Sequence, residues 1–509
     1  MRRRHAGALS AATVLLATGL VCFGPASPAA AATCLNHASR SDFNGDGIDD
    51  VATSAFDGHG RVHVLYGTAG GLTATSPDDT LFTTPDKTTF YYGQSQSIVG
   101  GDFNGDGCTD LAVADPYATL NGFQFSGAVT LFKGTPSGLT TTTNQLNAQA
   151  GGGTVTSYAH FGIAMAVGDI NNDGRDDLVV GADGENAIYV FFGTASGLSS
   201  GKRYAEGHGG VPGSATDDGG FGTALAVGDF DGDRHDDVAV GAPYEDVGSV
   251  GGAGAVIVLR GATSGSALTT DGAQIWSQGS AGVPGVAENG DEFGAALTTG
   301  YFNDSATTDL AIGSPYETVD GITAAGAVNV LYSSASKGLT STGAQVFDEG
   351  NQALVGAPDF YDNFGWSLAS GLFDAGAGDD LAIGIPERTV NGNVVAGAVL
   401  VLYASLSGLS TTGSQEITQA TAGIGGSADE YDEFGQTLTS VYTLAIPEQQ
   451  LVVGSPGETI GSLKSAGMIS FIPGSATGLT GAGSQSWTEG TAGVKGSKCA
   501  GCEFGAGLA

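Results

Sequence analysis

The chain has 509 residues, with 17 Lys+Arg against 53 Asp+Glu, a formal charge of −36, and 87 glycines. Apolar residues make up 41% and charged residues only 14%, which excludes an acidic disordered chain, since such chains are poor in apolar side chains. The scarcity of Lys and Arg excludes nucleic acid as an expected partner, and the glycines follow no three-residue period, so a collagen helix is excluded too.

Residues 1–32 read as a secretory signal peptide. Arg2, Arg3 and Arg4 precede an apolar stretch from Ala6 to Gly24, and a small-residue tail ends near Ala32. Val21 before Cys22 fits poorly with lipid modification. Cleavage removes three Arg and no acid, leaving a charge of −39. No later apolar run approaches the ~20 residues of a membrane span. The expected product is secreted, extracellular and monomeric. It keeps Cys34, Cys108, Cys499 and Cys502. An even number in an oxidising compartment suggests two disulfides, with three pairings open.

From Phe161 onward the chain repeats itself. FGIAMAVGDI at Phe161 recurs as FGTALAVGDF at Phe221, FGAALTTGYF at Phe293, FGWSLASGLF at Phe364 and FGQTLTSVYT at Phe434. A variant starts at Tyr92, and the chain ends on FGAGLA at Phe504. Successive spacings from Phe161 are 60, 72, 71, 70 and 70 residues. Seventeen residues after each full-copy Phe comes a run such as VAVGAP (from Val238), then a second run such as GAVIVLRG (254–261), then a turn such as GTASGL (193–198). The runs are short, rich in β-branched residues and bounded by Gly and Pro, so they read as buried strands. With a weaker segment such as AQIWSQGS (273–280), each unit holds four strands, which is a propeller blade.

Seven AVGA-type segments predict seven blades, the first at 50–56. No Phe-Gly copy precedes it, whereas FGAGLA has nothing after it. The fold class expected is therefore all-β: a seven-bladed β-propeller of four-stranded antiparallel blades over residues 33–509. Residues 503–509 complete blade 1 and close the ring. Cys34, Cys499 and Cys502 lie near this junction, so a disulfide latch across the closure is a further expectation.

Between the first two strands of a blade sits the motif with chemical content. The copies are DFNGDGIDD (42–50), DFNGDGCTD (102–110), DINNDGRDD (169–177) and DFDGDRHDD (229–237). Oxygen ligands at positions 1, 3, 5 and 9, with the carbonyl of position 7, suit one hard cation, and Ca²⁺ better than Mg²⁺. The candidate ligands are Asp42, Asn44, Asp46, Ile48 and Asp50; Asp102, Asn104, Asp106, Cys108 and Asp110; Asp169, Asn171, Asp173, Arg175 and Asp177; and Asp229, Asp231, Asp233, His235 and Asp237. Glycine at position 6 permits the sharp turn, and Arg234 replaces it in the fourth copy. An ion-free Asx turn is the competing reading, but four equivalent copies argue for about four Ca²⁺ in blades 1–4. The counterparts YFNDSATTD (301–309), LFDAGAGDD (372–380) and VYTLAIPEQ (441–449) have lost the pattern, so no metal is expected in blades 5–7.

These FG…GDxNxDGxxDLAVGAP units resemble the FG-GAP repeats of the integrin α-subunit N-terminal region, from Asp42 to the end of the chain. The resemblance implies a seven-bladed propeller with Ca²⁺ in the loops of its lower face. The chain differs in lacking the leg domains and membrane helix, and its metal loops fall in the first four blades rather than the later ones, so integrin heterodimerisation and signalling do not carry over. Similar repeats accompany a catalytic domain in glycosylphosphatidylinositol-specific phospholipase D, and no stretch of this chain is left to be one.

The sequence holds no catalytic signature. His37, His59, His63, His160, His208 and His235 form no zinc motif, and GLSSG at 197–201 falls in a recurrent turn rather than a nucleophile elbow. Asp291, Asp362 and Asp432 recur before Phe-Gly, which favours turn capping. Tyr117, Tyr244 and Tyr316 follow the AD, GA and GS segments and are candidate ligand-binding residues opposite the metal face, with inter-blade packing as the competing role. The functional expectation is an extracellular binding or adhesion module for an unidentified protein or glycan. The alternative is a hydrolase or lyase with its site at the propeller mouth, which would need a blade-specific cluster of acids or histidine.

Overall fold

A computed structural model describes residue 34 and residues 41–56, 60–74, 82–83, 97–140, 143–214, 218–262, 268–350, 354, 356–443 and 447–509. The segment 1–32, residues 92–96 of the Tyr92 variant, His37 and His59 lie outside the described residues. Cys34–Ala509 forms one compact unit. No helix of the described residues is long and apolar enough to cross a membrane.

Seven antiparallel four-stranded sheets follow one another, as the repeats predict. Blade 4 is representative. Its strands Ala224–Gly228, Asp237–Ala242, Ala255–Gly261 and Leu268–Trp276 pair in sequence order from the axis outward. The second strands are buried on both faces, which explains their unbroken runs of Val, Leu, Ile and Ala. Alternate side chains then point to the two neighbouring blades. One core cluster accordingly joins Val179 and Ile188 of blade 3 to Val238 and Ile257 of blade 4. Another joins Val51 and Leu65 of blade 1 to Val452 and Ile469 of blade 7.

The Phe-Gly motif makes the contact between blades. Phe161, Phe221, Phe293, Phe364, Phe434 and Phe504 are all fully buried. The Phe backbone packs on the glycine that opens the third strand of the preceding blade. A Cβ on Gly254, which sits at φ +87°, would lie 2.3 Å from Phe293 O and 2.4 Å from Phe293 N. Gly127, Gly326, Gly397 and Gly467 meet the next Phe in the same way, so the glycine of each GAV run is a steric requirement of the ring.

The ring closes on its own ends. Ala52 N donates to Ala509 O at 2.8 Å, Ala509 N to Ala52 O at 2.9 Å, and Ser54 N to Gly507 O at 3.0 Å, with Thr53 opposite Leu508 in antiparallel register. The chain's last residues are thus the inner strand of blade 1. The remaining strands are Val51–Phe56 and Gly60–Thr68, with Gly71–Thr73 and Phe82–Thr83 on the outer side.

The disulfide latch is not what holds this junction. Cys34 pairs with Cys108, with Cα atoms 5.2 Å apart, and Cys499 pairs with Cys502. Cys34 packs over Gly45, where a Cβ would lie 2.5 Å from the Cys34 Cβ. That position brings it to the loop of blade 2 and not to the closing strand. The junction rests on the β-ladder and on Phe504. We expect Phe504→Ala to cost about 3–5 kcal/mol, as for other fully buried Phe. Urea denaturation should show it, and a change under about 1 kcal/mol would mean the junction is held elsewhere.

Candidate metal loops and the opposite face

Each loop is anchored by a buried apolar residue at position 2: Phe43, Phe103, Ile170 and Phe230 in the four acidic copies. Positions 4 and 6 turn left-handed. Gly47, Gly107 and Gly174 at position 6 have φ of 88°, 86° and 84°, and Arg234 adopts the same conformation at 75°. The loop of blade 4 therefore keeps its shape without the glycine, at the cost of strain in a non-glycine residue.

The turn points amides at the first carboxylate. Asp42 accepts from Asp46 N at 3.0 Å and Gly47 N at 2.8 Å. Asp102 accepts from Gly105, Asp106 and Gly107. Asp169 accepts from Asp173 and Gly174, both at 2.9 Å. Asp229 accepts from Gly232, Asp233 and Arg234. At position 5, Asp46, Asp106, Asp173 and Asp233 each accept the amide of position 7, from Ile48, Cys108, Arg175 and His235. In blade 4 one oxygen each of Asp229, Asp231 and Asp237 lies within 4.8 Å of the others. In blade 3 the Asn171 Oδ1 is buried and accepts no hydrogen bond, an orphaned acceptor at a ligand position that a cation would satisfy. The residues present fit a hard cation.

Side-chain cations already touch three of the four loops. Lys133 Nζ lies 2.9 Å from Asp106 Oδ2, Arg175 Nη1 3.6 Å from Asp173 Oδ1, and Arg260 Nη1 2.9 Å from Asp231 Oδ2. Burial, with the neighbouring carboxylates adding to it, raises the position-9 acids: Asp50 well above the usual range, Asp110 to about 6, Asp177 to about 7 and Asp237 to about 8.

Position 9 has a second role that the sequence pattern concealed. Asp50 accepts from Phe43 N at 2.9 Å and Gly67 N at 2.8 Å, pinning the loop to the third strand. Asp177 and Asp237 do the same. So do Asp309, from Phe302 N and Ser333 N, and Asp380, from Phe373 N and Ala404 N, in blades whose loops have lost the acids. In blade 7, Gln450 Oε1 accepts from Thr443 N at 3.0 Å. This places the blade 7 loop at 442–450, one residue later than the sequence alignment had it. It still has no acid at positions 1, 3, 5 or 9. Asp110 departs slightly: it accepts from Gly134 N and from the Asn104 side chain.

On the opposite face the three tyrosines lie in sequence around the mouth. Tyr117 is half-buried, edge-on to Phe125 and to His160, with ring centres 5.9 and 5.4 Å away. Tyr244 is 48% exposed, and Tyr316 packs edge-on to Trp366. Burial, then the charge of Asp183 or Glu292, pushes the Tyr117 and Tyr244 hydroxyls up to about 12. The three stand on the connections between the second and third strands of blades 2, 4 and 5, an arc interrupted at blade 3, where Asp183 and Gly184 stand instead. The acids before Phe-Gly cap turns, as expected: Asp291, Asp362 and Asp432 accept from Glu288, Asp359 and Asp429 N. His63 is buried, 3.0 Å from Glu489. His160 pairs with Asp183 at 2.9 Å, and Arg388 in the connection of blade 6 is held by Glu349 and Asp362, each at 2.8 Å.

The position-9 carboxyls of blades 5 and 6 make a testable pH dependence. Burial raises Asp309 to about 6 and Asp380 to about 7, against about 3.9 in an unfolded chain. A raised folded value adds stability that is full below pH ~4 and is lost as the pH rises through 6–7. In chelator, the unfolding free energy should fall by on the order of 1–3 kcal/mol between pH 5 and 8. Asp380→Asn, which puts an amide where blade 7 has Gln450, should flatten that fall. An identical pH profile for wild type and variant would refute the assignment.

Residues 96–132, 161–197 and 221–259 match the FG-GAP repeat, and residues 42–113 the FG-GAP-like repeat. Integrin alpha-PS5 of Drosophila melanogaster is 36% identical over 160 residues, 30% of this chain and 15% of that protein. Integrin alpha-PS2 of the same organism is 29% identical over 270 residues, 49% of this chain and 17% of that one. Phosphatidylinositol-glycan-specific phospholipase D of Rattus norvegicus is 31% identical over 221 residues, 42% and 25%. The chain spans a quarter or less of the length of these relatives. Among solved structures, the exotype rhamnogalacturonan lyase YesX aligns over 89% of this chain and 82% of that one at 10% identity, with a TM-score of 0.38, a likeness that carries no functional argument. With the repeat matched in blades 1 to 4 and a four-stranded sheet in each of seven blades, the chain carries FG-GAP repeats on a β-propeller and is similar over part of its length to the integrin α chains.

Proposed function

We propose that this protein is a secreted, calcium-stabilised propeller that acts as an extracellular binding or adhesion module, engaging a protein or glycan through the face opposite its acidic loops. The observation that carries the calcium reading is repetition. In four consecutive blades the carboxylate at position 1 is gripped by the amides of its own turn, and the carboxylate at position 5 takes the amide of position 7. The all-oxygen ligand set and the flexible turn suit Ca²⁺ over the smaller, geometrically stricter Mg²⁺. The side-chain oxygens of positions 1, 3, 5 and 9 would hold the ion, together with the carbonyls of Ile48, Cys108, Arg175 and His235. The ion adds cross-links within blades 1–4, and its role is stability. The basic Lys133 and Arg260 would yield their carboxylates to it.

The binding reading is supported by the arc of Tyr117, Tyr244 and Tyr316 and its acids. The pairing of several relatives with the name integrin adds to it.

Calcium should raise the melting temperature relative to chelator. A single site at a hundredfold excess over its Kd contributes about 2.7 kcal/mol. Asp169→Asn with Asp173→Asn should remove roughly a quarter of the calcium-dependent shift, as expected for one site of four with similar affinity. Superimposable melting curves in calcium and in chelator would refute the metal reading. For the binding face, replacing Tyr117, Tyr244 and Tyr316 together with Ala should abolish binding to ligands found on a protein and glycan array. Unchanged binding to every such ligand would sink that half.

A further inference from the structure

The blades differ on the face opposite the loops. In five of them twelve residues join the second strand to the third: 116–127, 243–254, 315–326, 386–397 and 456–467. Each of these connections forms a small hairpin, closed by the bridges Leu120–Phe123, Val247–Val250, Val319–Ile322, Val390–Asn393 and Ile460–Leu463. Each hairpin covers the turn before the Phe-Gly of the next blade. Phe125 O accepts from His160 N, Gly252 O from Glu292 N, Ala324 O from Asn363 N, Val395 O from Glu433 N and Ser465 O from Glu503 N. Blade 3 uses only four residues, Asp183–Asn186, wound as a single 3-10 turn. Without a hairpin, the Phe-Gly entry of blade 4 is capped by a side chain: Asn186 Oδ1 accepts from Gly220 N at 2.9 Å and Phe221 N at 3.1 Å. The rim is therefore notched over blades 3 and 4.

Among the described residues, the notch holds the one histidine that stands directly before a Phe-Gly. His160 occupies the place taken by Glu292, Asn363, Glu433 and Glu503 in later copies. Its Nδ1 lies 2.9 Å from Asp183 Oδ1, which also accepts from Gly184 N at 2.8 Å. The carboxylate accepts, so Nδ1 carries a proton, and in the neutral tautomer Nε2 presents its lone pair. Nε2 has no protein partner among the described residues. The His160 and Asp183 side chains are 26% and 20% exposed, enough to reach a ligand from fixed positions. Tyr117 stacks edge-on behind the imidazole, and Tyr244, 48% exposed, packs over Gly220, whose amide is capped by Asn186 of the same turn as Asp183.

We propose that this notch binds a neutral saccharide, with His160 Nε2 accepting a hydrogen bond from a ring hydroxyl and Tyr244 supplying the apolar surface against which the sugar's C–H face rests. The inference rests on the binding-face reading and names its ligand. A pyranose has an apolar face and a hydroxyl edge, which match an exposed tyrosine ring beside a fixed acceptor. An anionic ligand is opposed by Asp183 and by the −36 charge of the chain. A cationic ligand finds the Asp183 carboxylate already engaged by the imidazole and by Gly184.

The test is a screen of the calcium-loaded full-length mature protein against neutral glycans, sialylated glycans and lysine-rich peptides, with hits titrated by calorimetry. His160→Asn installs the residue that blade 6 carries in this place, and Tyr244→Gly the residue of blade 7, so both variants should keep the wild-type melting temperature. We expect a neutral glycan to bind and each variant to weaken it at least tenfold. Binding of that glycan unchanged in His160→Asn overturns the proposal. So does a screen in which only lysine-rich peptides or sialylated glycans bind. A protein ligand lost with Tyr316→Ala but indifferent to both notch variants leaves the binding face standing and removes the saccharide notch, whereas no binding of any class removes both.

Discussion

A hydrogen bond from the eighth residue of each loop to the carbonyl of the first residue in the preceding loop recurs at every blade boundary. Thr109 N donates to Asp42 O, Asp176 to Asp102, Asp236 to Asp169, Thr308 to Asp229, Asp379 to Tyr301 and Gln449 to Leu372. Asp49 N then donates to Tyr442 O, carrying the same bond from blade 7 to blade 1. A closed ring tolerates no blade that fails to meet both neighbours, and this bond does not depend on side-chain identity. It therefore survives where the acids have been lost. Where position 8 is acidic or an amide, the side chain adds a second bond to the amide of the same first residue: Asp176 to Asp102, Asp236 to Asp169, Asp379 to Tyr301, Gln449 to Leu372 and Asp49 to Tyr442. The loops are thus joints between blades before they are anything else, and a cation held in one would stiffen a joint the ring already needs.

This order of priorities explains why the loops decay unevenly. Position 9 remains acidic through blade 6 because Asp309 and Asp380 still tie two backbone amides together, an obligation that an absent ligand does not remove. The position-1 carboxylate bonds to the amides of its own turn, and in blades 5–7 this position drifts to Tyr301, Leu372 and Tyr442 without harm to the backbone bonds. Counting acids therefore overstates how far blades 5 and 6 resemble metal loops. The discriminating feature is the acid at position 1, whose carboxylate organises the turn.

Much of the fold was legible because each repeat position has one physical duty. Phe before Gly is always buried between blades, the glycine of GAV always faces a backbone, and FGAGLA without a following strand can only pair with the unpartnered Val51–Phe56 edge. What was illegible lay where two duties overlap or where a duty is missing. Position 9 reads as a ligand because its structural bonds are to backbone groups that leave no mark in sequence. The loop of blade 7 slipped by one residue because Tyr442 and Gln450 carry none of the expected acids. The Cys34–Cys108 pairing depends on the space left by Gly45, which spacing along the chain does not encode. The spacing of 60 rather than 70–72 after Phe161 was plain, but a missing hairpin acquires meaning only when its five counterparts are seen covering the next blade.

The two ends of the second strand are consequently under different constraints. At the loop end, every boundary repeats the same backbone bond, and variation is limited to whether a turn collects carboxylates. At the hairpin end, the obligation is only to cover the next Phe-Gly entry, and an amide side chain such as Asn186 meets it as well as a twelve-residue hairpin. Departures from symmetry are therefore cheap on that face and costly on the other. A specific site, which needs chemistry that its six counterparts lack, can arise in a ring of this kind without disturbing closure only on the hairpin side. The pairing of His160 with Asp183, where the blade 3 connection shortens to a single turn beside exposed tyrosines, is one place where this ring has departed from its own repeat.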